Sequence, residues 1–341
     1  MPPALTQSHV APPSSSTLSH RFSVAPMIDW TDRYCRFFHR QLTGRALLYT
    51  EMIVADAVLN GDARHLLDFD AAEHPVALQL GGSDPDKLAE ASRIAEGFGY
   101  DEINLNVGCP SDRVQSGRFG ACLMQEPDLV ARCVSAMQAA TSLPVTVKCR
   151  IGVDHQIPKD VLPAFIDQVA ATGVTTFIVH ARMAWLDGLS PKENRTIPPL
   201  DYDLVAQVRA DRPHLTIILN GGIADLDEAV AQLDRFDGVM LGRAAYERPF
   251  ILSSVDGLLF EEGTAPRSRL DAVRAVAEHA DRNDTPIWRY VRHMLGLYHG
   301  QKGARAWRRR ISEEGRSDHA TPAWLIEQAE DMEAVMAEAA S

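Results

Sequence analysis

From residue 21 to about 254, short apolar runs alternate with longer amphipathic stretches. The runs fall at Phe22–Met27, Leu47–Met52, Val76–Leu80, Glu102–Asn106, Val145–Cys149, Thr176–His180, Thr216–Asn220 and Gly238–Leu241. Several are continuous in Val, Ile and Leu, as expected of parallel strands buried on both faces. Between them, Asp84–Glu96, Glu126–Ala140 and Asp201–Ala210 read as helices, with Ser, Thr or Asp near their starts. Eight strands, each followed by a helix, predict a (β/α)8 TIM barrel. A doubly wound open sheet would alternate in the same way. The polar residues tip the balance. Gln79, Asn106, Lys148, His180, Asn220 and Arg243 stand at or just past strand ends, and a closed barrel gathers those ends at one mouth.

After Leu259 the pattern changes. Glu261 to Pro266 reads as a linker. Leu270–His279, Ile287–Leu297, Gly303–Ile311 and Pro322–Ala339 are helical patterns with no strand among them. The expected organisation is a catalytic barrel over 20–260 followed by a small all-helical C-terminal domain over 265–341. Residues 1–19 carry Pro2, Pro3, Pro12, Pro13 and a Ser14–Thr17 run without apolar period, and are expected to be a disordered N-terminal tail.

Composition adds limits. A chain of 341 residues with 45% hydrophobic and 23% charged residues has ample core for these two parts. The five cysteines form no CxxC pair, so neither a metal site nor a disulfide framework is expected. No apolar run is long enough for a bilayer and no signal-peptide core is present, which predicts no membrane partner and a cytoplasmic protein with reduced thiols.

A net charge of −12 argues against nucleic acid at first sight, but binding follows local patches. From Arg289 to Arg310 the chain has Arg289, Arg292, Lys302, Arg305, Arg308, Arg309 and Arg310 and no acid. Arg305, Arg308 and Arg309 share a helical face. Tyr290, Tyr298 and Trp307 are interleaved, which suits phosphate contacts with some base stacking. A solvated face is the usual fate of a charge run; the lack of acids weakens that reading.

Candidate chemistry gathers at the strand ends. Cys109, between Gly108 and Pro110 just past a strand, is poorly placed for a core and well placed to react. Cys122 precedes Leu-Met at a helix-like start and reads as packing, while Cys35, Cys133 and Cys149 sit in apolar periodic stretches and read as inert. Asn220-Gly221-Gly222 and Gly242-Arg243 end the last two strands, where barrels often hold a phosphate, although ordinary turns also use glycine. Arg243 would clamp such an anion. Lys148, inside Val-Thr-Val-Lys-Cys-Arg, must find water or an anion. By spacing alone Met27 fills core, and His180 is either a satisfied core imidazole or a ligand.

The run Asn104–Ser111, continued through Asp112-Arg113-Val114-Gln115-Ser116-Gly117-Arg118-Phe119-Gly120-Ala121-Cys122-Leu123-Met124, resembles nearly residue for residue the active-site signature of the tRNA-dihydrouridine synthases, and within them the A subfamily. Trp185 to Arg195 is equally characteristic of that subfamily, and the resemblance spans about residues 21 to 311. It implies a flavoenzyme that reduces the C5=C6 bond of uridine in the tRNA D-loop and elbow region, at positions 20 and 20a. Tightly bound, noncovalent FMN is implied as cofactor and NADPH as transient reductant. No Rossmann G-x-G-x-x-G is present, so nicotinamide would dock over the flavin.

The resemblance makes Cys109 the proton donor to C5, with hydride delivered to C6. An ordinary thiol pKa of ~8.5 keeps such a group mostly protonated at neutral pH. Asn220, Gly221, Gly222, Gly242 and Arg243 match the FMN-phosphate segments, and Ala25, Pro26, Met27, Gln79, Lys148 and His180 would surround the ring. A base must leave its stack to reach a flavin, so the substrate uridine would be flipped into the mouth, with Asn106 at the uracil edge. Arg182, Met183, Lys192, Arg195, Arg292, His299, Gln301, Lys302, Arg305, Arg308 and Arg309 are the implied tRNA contacts, on a protein expected to be a monomer. Met183 stands where many relatives have Lys, and His155 where relatives often have an acid. Two rivals share part of the pattern. An FMN barrel acting on a free pyrimidine leaves the basic helices unexplained. A non-catalytic RNA-binding protein leaves Cys109, Lys148 and the glycine pairs idle.

Overall fold

The computed structural model describes residues 18–111, 117–260 and 265–340. The expected tail through residue 17, Asp112–Ser116 of the cysteine block and 261–264 of the expected linker lie outside the described residues.

Among the described residues there are eight strands: β1 (Phe22–Val24), β2 (Leu47–Val54), β3 (Val76–Gly81), β4 (Glu102–Val107), β5 (Val145–Arg150), β6 (Thr176–His180), β7 (Thr216–Asn220) and β8 (Gly238–Leu241). All pair in parallel in chain order, and β1 closes on β8 with Ser23 opposite Met240, so the sheet is a closed barrel and not an open one. β1 is shorter than expected because Pro26 has no N–H to give the ladder; Ala25 makes the last bond, to Leu241 O at 2.8 Å. β2 runs two residues longer, over an irregularity between Tyr49 and Met52. Helices Pro85–Glu96, Pro127–Ala140 and Tyr202–Asp211 lie where the periodicity places them.

Strand alternation builds two cores. Outward residues such as Ile103, Leu105, Val147, Cys149, Phe177 and Val179 pack under the helices. Leu47, Tyr49, Ala77, Ile178, Ile218 and Met240 form a separate cluster inside the barrel. Hence inward positions on β3, β4 and β5 can be polar without weakening the outer core.

Beyond residue 265 the chain is helical, with Arg269–Arg282, Trp288–Val291, Ala304–Glu314 and Pro322–Ala340. The helix expected over Ile287–Leu297 is shorter. Gly296 lies so close to the Glu247 carbonyl that a Cβ there would sit 2.0 Å from the oxygen, and the chain turns instead. These helices pack on the barrel: Phe37 stacks on His279 with ring centroids 3.7 Å apart, and His279 Nε2 lies 2.9 Å from Asp70. The expected stacking role of Tyr290, Tyr298 and Trp307 is overturned. They are 0%, 0% and 3% exposed, and Trp307 Nε1 donates to Met294 O at 3.0 Å. Large rings with a satisfied polar tip stabilise this packing and are unavailable to a base. Among the described residues, no helix is long and apolar enough to cross a membrane.

Candidate active site at the barrel mouth

The strand ends enclose a cavity of about 960 Å³. Cys109 and Asn106 line it together with Ala25, Pro26, Met27, Gln79, Lys148, His180, Asn220, Gly221, Gly222, Gly242 and Arg243. Every position the sequence offered for catalysis and the flavin therefore meets in one place. Residues from distant parts of the chain converge because parallel strands all end at the same rim.

Asn106, at the end of β4, shapes the loop that carries the thiol. Its Oδ1 accepts from the N–H of Gly108 at 3.1 Å and of Cys109 at 3.0 Å, and its Nδ2 donates to Gln79 Oε1 at 2.7 Å. The Cys109 carbonyl accepts from Ala121 N at 2.9 Å, which ties the loop to the turn over Gly120–Gln125. Cys109 is half-buried, with Sγ 3.5 Å from Ser111 Oγ. Burial pushes the Cys133 and Cys149 thiols up to about 12 and the Cys35 thiol well above its ordinary range. Cys122 is also raised by burial, and its Sγ donates to Phe119 O at 3.2 Å. Among the described cysteines, Cys109 is the one lining the cavity.

Ion pairs are missing among the described residues where they would be expected. Lys148 on β5 has no hydrogen bond or carboxylate partner among the described residues, and burial, then Arg150, brings its ammonium down to about 8. His180 is pushed well below its ordinary range by burial and then by Arg150, Lys148, Arg182 and Arg195, so it is a neutral imidazole; its buried Nδ1 has no partner. The buried Nε of Arg182 also lacks one. Although Arg195 is exposed as a whole, desolvation at the cavity wall and then the charge of Arg243 lower it, and Arg243 Nη2 reaches Arg195 O at 3.4 Å. Arg182, Arg195 and Arg243 thus form a group of cations with no ion pair among the described residues. Asp29 and Glu247 sit on the cavity wall without pairing with any of them.

The glycine pairs divide. Gly221 has φ +102°, and a Cβ would lie 3.1 Å from the His180 ring; Gly222 has φ +83°, and a Cβ would lie 2.5 Å from Leu200 Cδ1. Both positions require glycine for the backbone to pass this close. Gly242 has an ordinary φ of −104° and no neighbour nearer than 3.9 Å to a would-be Cβ, so it leaves one wall of the cavity open.

Arg150 was absent from the sequence-derived set. It is 3% exposed and donates to Gly108 O at 2.9 Å and to Met183 O and Asn194 O at 3.0 Å each. It therefore ties the cysteine loop to the loop after β6. Its signal was its place two residues after Lys148, on the same inward face of β5. Met52, Phe119, Ile223 and Arg248 also line the cavity and were not anticipated.

The proposed RNA contacts lie in two groups. Lys192 and Arg195 are exposed on the loop after β6, which folds around buried Asn194; Arg195 reaches the cavity. Arg182 instead donates to Pro198 O, and Met183 meets Arg150 through its carbonyl. His155 packs edge-on against Trp185, with centroids 5.6 Å apart. His299, Lys302, Arg305, Arg308 and Arg309 are exposed, Gln301 is half-buried, and none lines the cavity. Arg292 bridges the groups by donating to Asp29 O at the rim. Arg310 leaves the basic run, since it pairs with Asp331 at 3.3 Å.

A dihydrouridine synthase family model matches residues 23–337. A tRNA-dihydrouridine(20/20a) synthase of Xanthomonas campestris pv. campestris is 54% identical over 322 residues, covering 93% of this chain and 95% of the relative. Proteins of the same name from Vibrio cholerae and Escherichia coli (strain K12) are each 54% identical, over 87% and 86% of this chain and 92% and 86% of theirs. An old yellow enzyme homologue from Zymomonas mobilis aligns over 73% of this chain and 90% of its own, with 13% identity and a TM-score of 0.49. The chain belongs to the dihydrouridine synthase family.

Proposed function

We propose that this protein is an FMN-dependent tRNA-dihydrouridine synthase that uses NADPH to reduce uridines 20 and 20a in the D-loop. The observation that carries the reading is one cavity in which a thiol, an uncompensated lysine and a cluster of unpaired arginines meet.

The residues present fit the cofactor. Arg243, with Arg195 beside it on the cavity wall and neither in an ion pair, suits a phosphate next to the two positive-φ glycines, and Lys148 with the orphaned His180 Nδ1 suits the polar edge of a flavin ring. Gln79 would hold that edge as well, with Ala25, Pro26, Met27, Asn220 and Gly242 around it. Bound there, the reduced flavin supplies the hydride that uridine accepts at C6.

The chain's own part is orientation and the proton. The Asn106 bonds to the Gly108 and Cys109 amides hold the loop so that Sγ faces the cavity. Cys109 then gives its proton to C5, and the thiolate is reprotonated from solvent, so NADPH, one proton and uridine become NADP+ and dihydrouridine. One amide hydrogen of Asn106 remains for the uracil edge.

The barrel over 20–260 serves as the catalytic part, and the helices over 265–341 as the tRNA-gripping part of a cytoplasmic monomer. Exposed Arg305, Arg308 and Arg309 meet phosphates, with Arg292, His299, Gln301 and Lys302 beside them and Lys192 and Arg195 at the mouth.

The test is purification followed by turnover. The protein should purify yellow with FMN and, given NADPH, convert uridines 20 and 20a of unmodified tRNA, mapped by mass spectrometry. Arg243→Ala should lower FMN occupancy. A colourless protein that FMN cannot reconstitute, or equal turnover of free uridine, would overturn the reading.

A further inference from the structure

The barrel interior below the mouth holds a file of polar side chains that runs up to Gln79 and Asn106 from Glu102, Thr146 and Asn104, which have no role in the chemistry above. It starts at Glu102, at the N-terminal end of β4, which is 0% exposed. Glu102 Oε1 accepts from Tyr49 OH and from Thr146 Oγ1, each at 2.6 Å, and Oε2 lies 2.5 Å from His20 Nε2. Thr146 Oγ1 in turn accepts from Asn104 Nδ2 at 2.8 Å, and Asn104 Oδ1 accepts from Gln79 Nε2 at 2.8 Å. Gln79 Oε1 accepts from Asn106 Nδ2, and Asn106 Oδ1 accepts from the amides of Gly108 and Cys109.

The two ends dictate one direction. A backbone N–H can only donate, so Asn106 must turn its oxygen to the cysteine loop. A carboxylate can only accept, and the single Thr146 hydrogen is spent on Glu102, so Thr146 can only accept from Asn104. Each amide between them then has one permitted orientation. Thr146 and Asn104 are 2% and 0% exposed and neither lines the cavity, so a partner lost there is not replaced from the mouth. Flipping any one amide would set donor against donor at the next.

We propose that Glu102, Thr146 and Asn104 are positioning residues, and that this polarised file, anchored at the closed end of the barrel, holds Asn106 in the orientation that fixes the Cys109 loop. The proposal rests on Cys109 being the proton donor.

The test removes the hydroxyl relay while keeping the shape. Thr146→Val leaves Asn104 Nδ2 without an acceptor. With FMN bound and tRNA affinity and NADPH-dependent flavin reduction retained, kcat for dihydrouridine should fall about 10- to 100-fold, the scale of a sub-ångström to ångström misplacement. Independently of activity, hydrogen exchange at the Gly108 and Cys109 amides should quicken, because their acceptor is no longer held. Thr146→Ser should restore both. A folded Thr146→Val with unchanged kcat and exchange would overturn the proposal, as would a Thr146→Ser as impaired as Thr146→Val, which would make the loss one of packing. If Thr146→Val does not fold, Asn104→Asp decides by the same two measurements, since a carboxylate cannot donate to Thr146. Wild-type protein that makes no dihydrouridine would sink the proposed function, while the exchange measurement would still judge the file.

Discussion

Two cations, Arg36 buried and Lys148 half-buried, show how differently this protein treats charge in two regions. At the junction of the barrel and its helices, Arg36 on helix Arg33–Leu42 is 5% exposed; its Nε meets Glu73 at 2.6 Å and its Nη1 donates to Thr31 O at 2.8 Å. Burial works against that charge, but Glu73, together with Tyr100 and Asp32, outweighs it and holds the guanidinium above its ordinary range. At the mouth, Lys148 has no such partner, and burial prevails. The fold can compensate a buried cation and does so where the residue only holds structure. An uncompensated, desolvated charge persists where something else is to supply the counter-charge.

The largest expected effect lies at the mouth. Cys109→Ala should keep its FMN and its reduction by NADPH, while dihydrouridine formation falls by roughly two to four orders of magnitude, the range for a lost general acid. Cys122→Ala, made alongside, should be nearly silent. If the two exchange behaviour, the mouth is organised around the wrong thiol.

At the junction the loss should be stability instead. Glu73→Gln strands Arg36, and denaturant unfolding should show a destabilisation of about 3–5 kcal/mol. An unchanged midpoint would mean that the pair is not what compensates Arg36.

Lys148→Met should do the reverse in flavin-free protein, stabilising it on the order of 1–3 kcal/mol while weakening FMN binding. The sign follows from the lowered value: below pH 8 the folded state must carry a charge it disfavours. Above that pH the folded lysine sheds its proton before the unfolded one does. The gain from Lys148→Met should therefore be full below about pH 8 and fade towards the ordinary lysine range. Melting curves of both proteins across that window decide it; a constant gain would point to packing.

The smallest effect concerns the surface. Replacing Arg305, Arg308 and Arg309 by Ala should weaken tRNA binding and flatten its salt dependence by about 0.7 to 0.9 log units per log salt for each lost phosphate contact. Reduction of an artificial acceptor should not change. Equal slopes would place the grip on the loop after β6, around Lys192 and Arg195.

Much of this was legible in the chain. β6, β7 and β8 have the bounds that their apolar runs gave, because a strand buried on both faces is apolar throughout. The cavity residues were legible because a polar or basic side chain stands at or just past the C-terminal end of run after run, and a closed barrel gathers those ends. Arg150 was missed because its partners are three backbone carbonyls on two loops, which leave no mark in side-chain pattern. Tyr290, Tyr298 and Trp307 were misassigned because proximity to arginines along the chain says nothing about which face of a helix meets the core.

The sequence by itself determined the eight-strand alternation, the change to helices after Leu259, and the residue types at the strand ends, because these follow from periodicity and from what each side chain tolerates locally. Only the tertiary structure decided that Glu102, Thr146, Asn104, Gln79 and Asn106 form a single file, and that Lys148 goes unpaired while Arg36 does not. Hydrogen-bond direction and the compensation of charge depend on atoms a few ångströms apart in space and tens of residues apart in the chain, and closing the barrel is what brings them together.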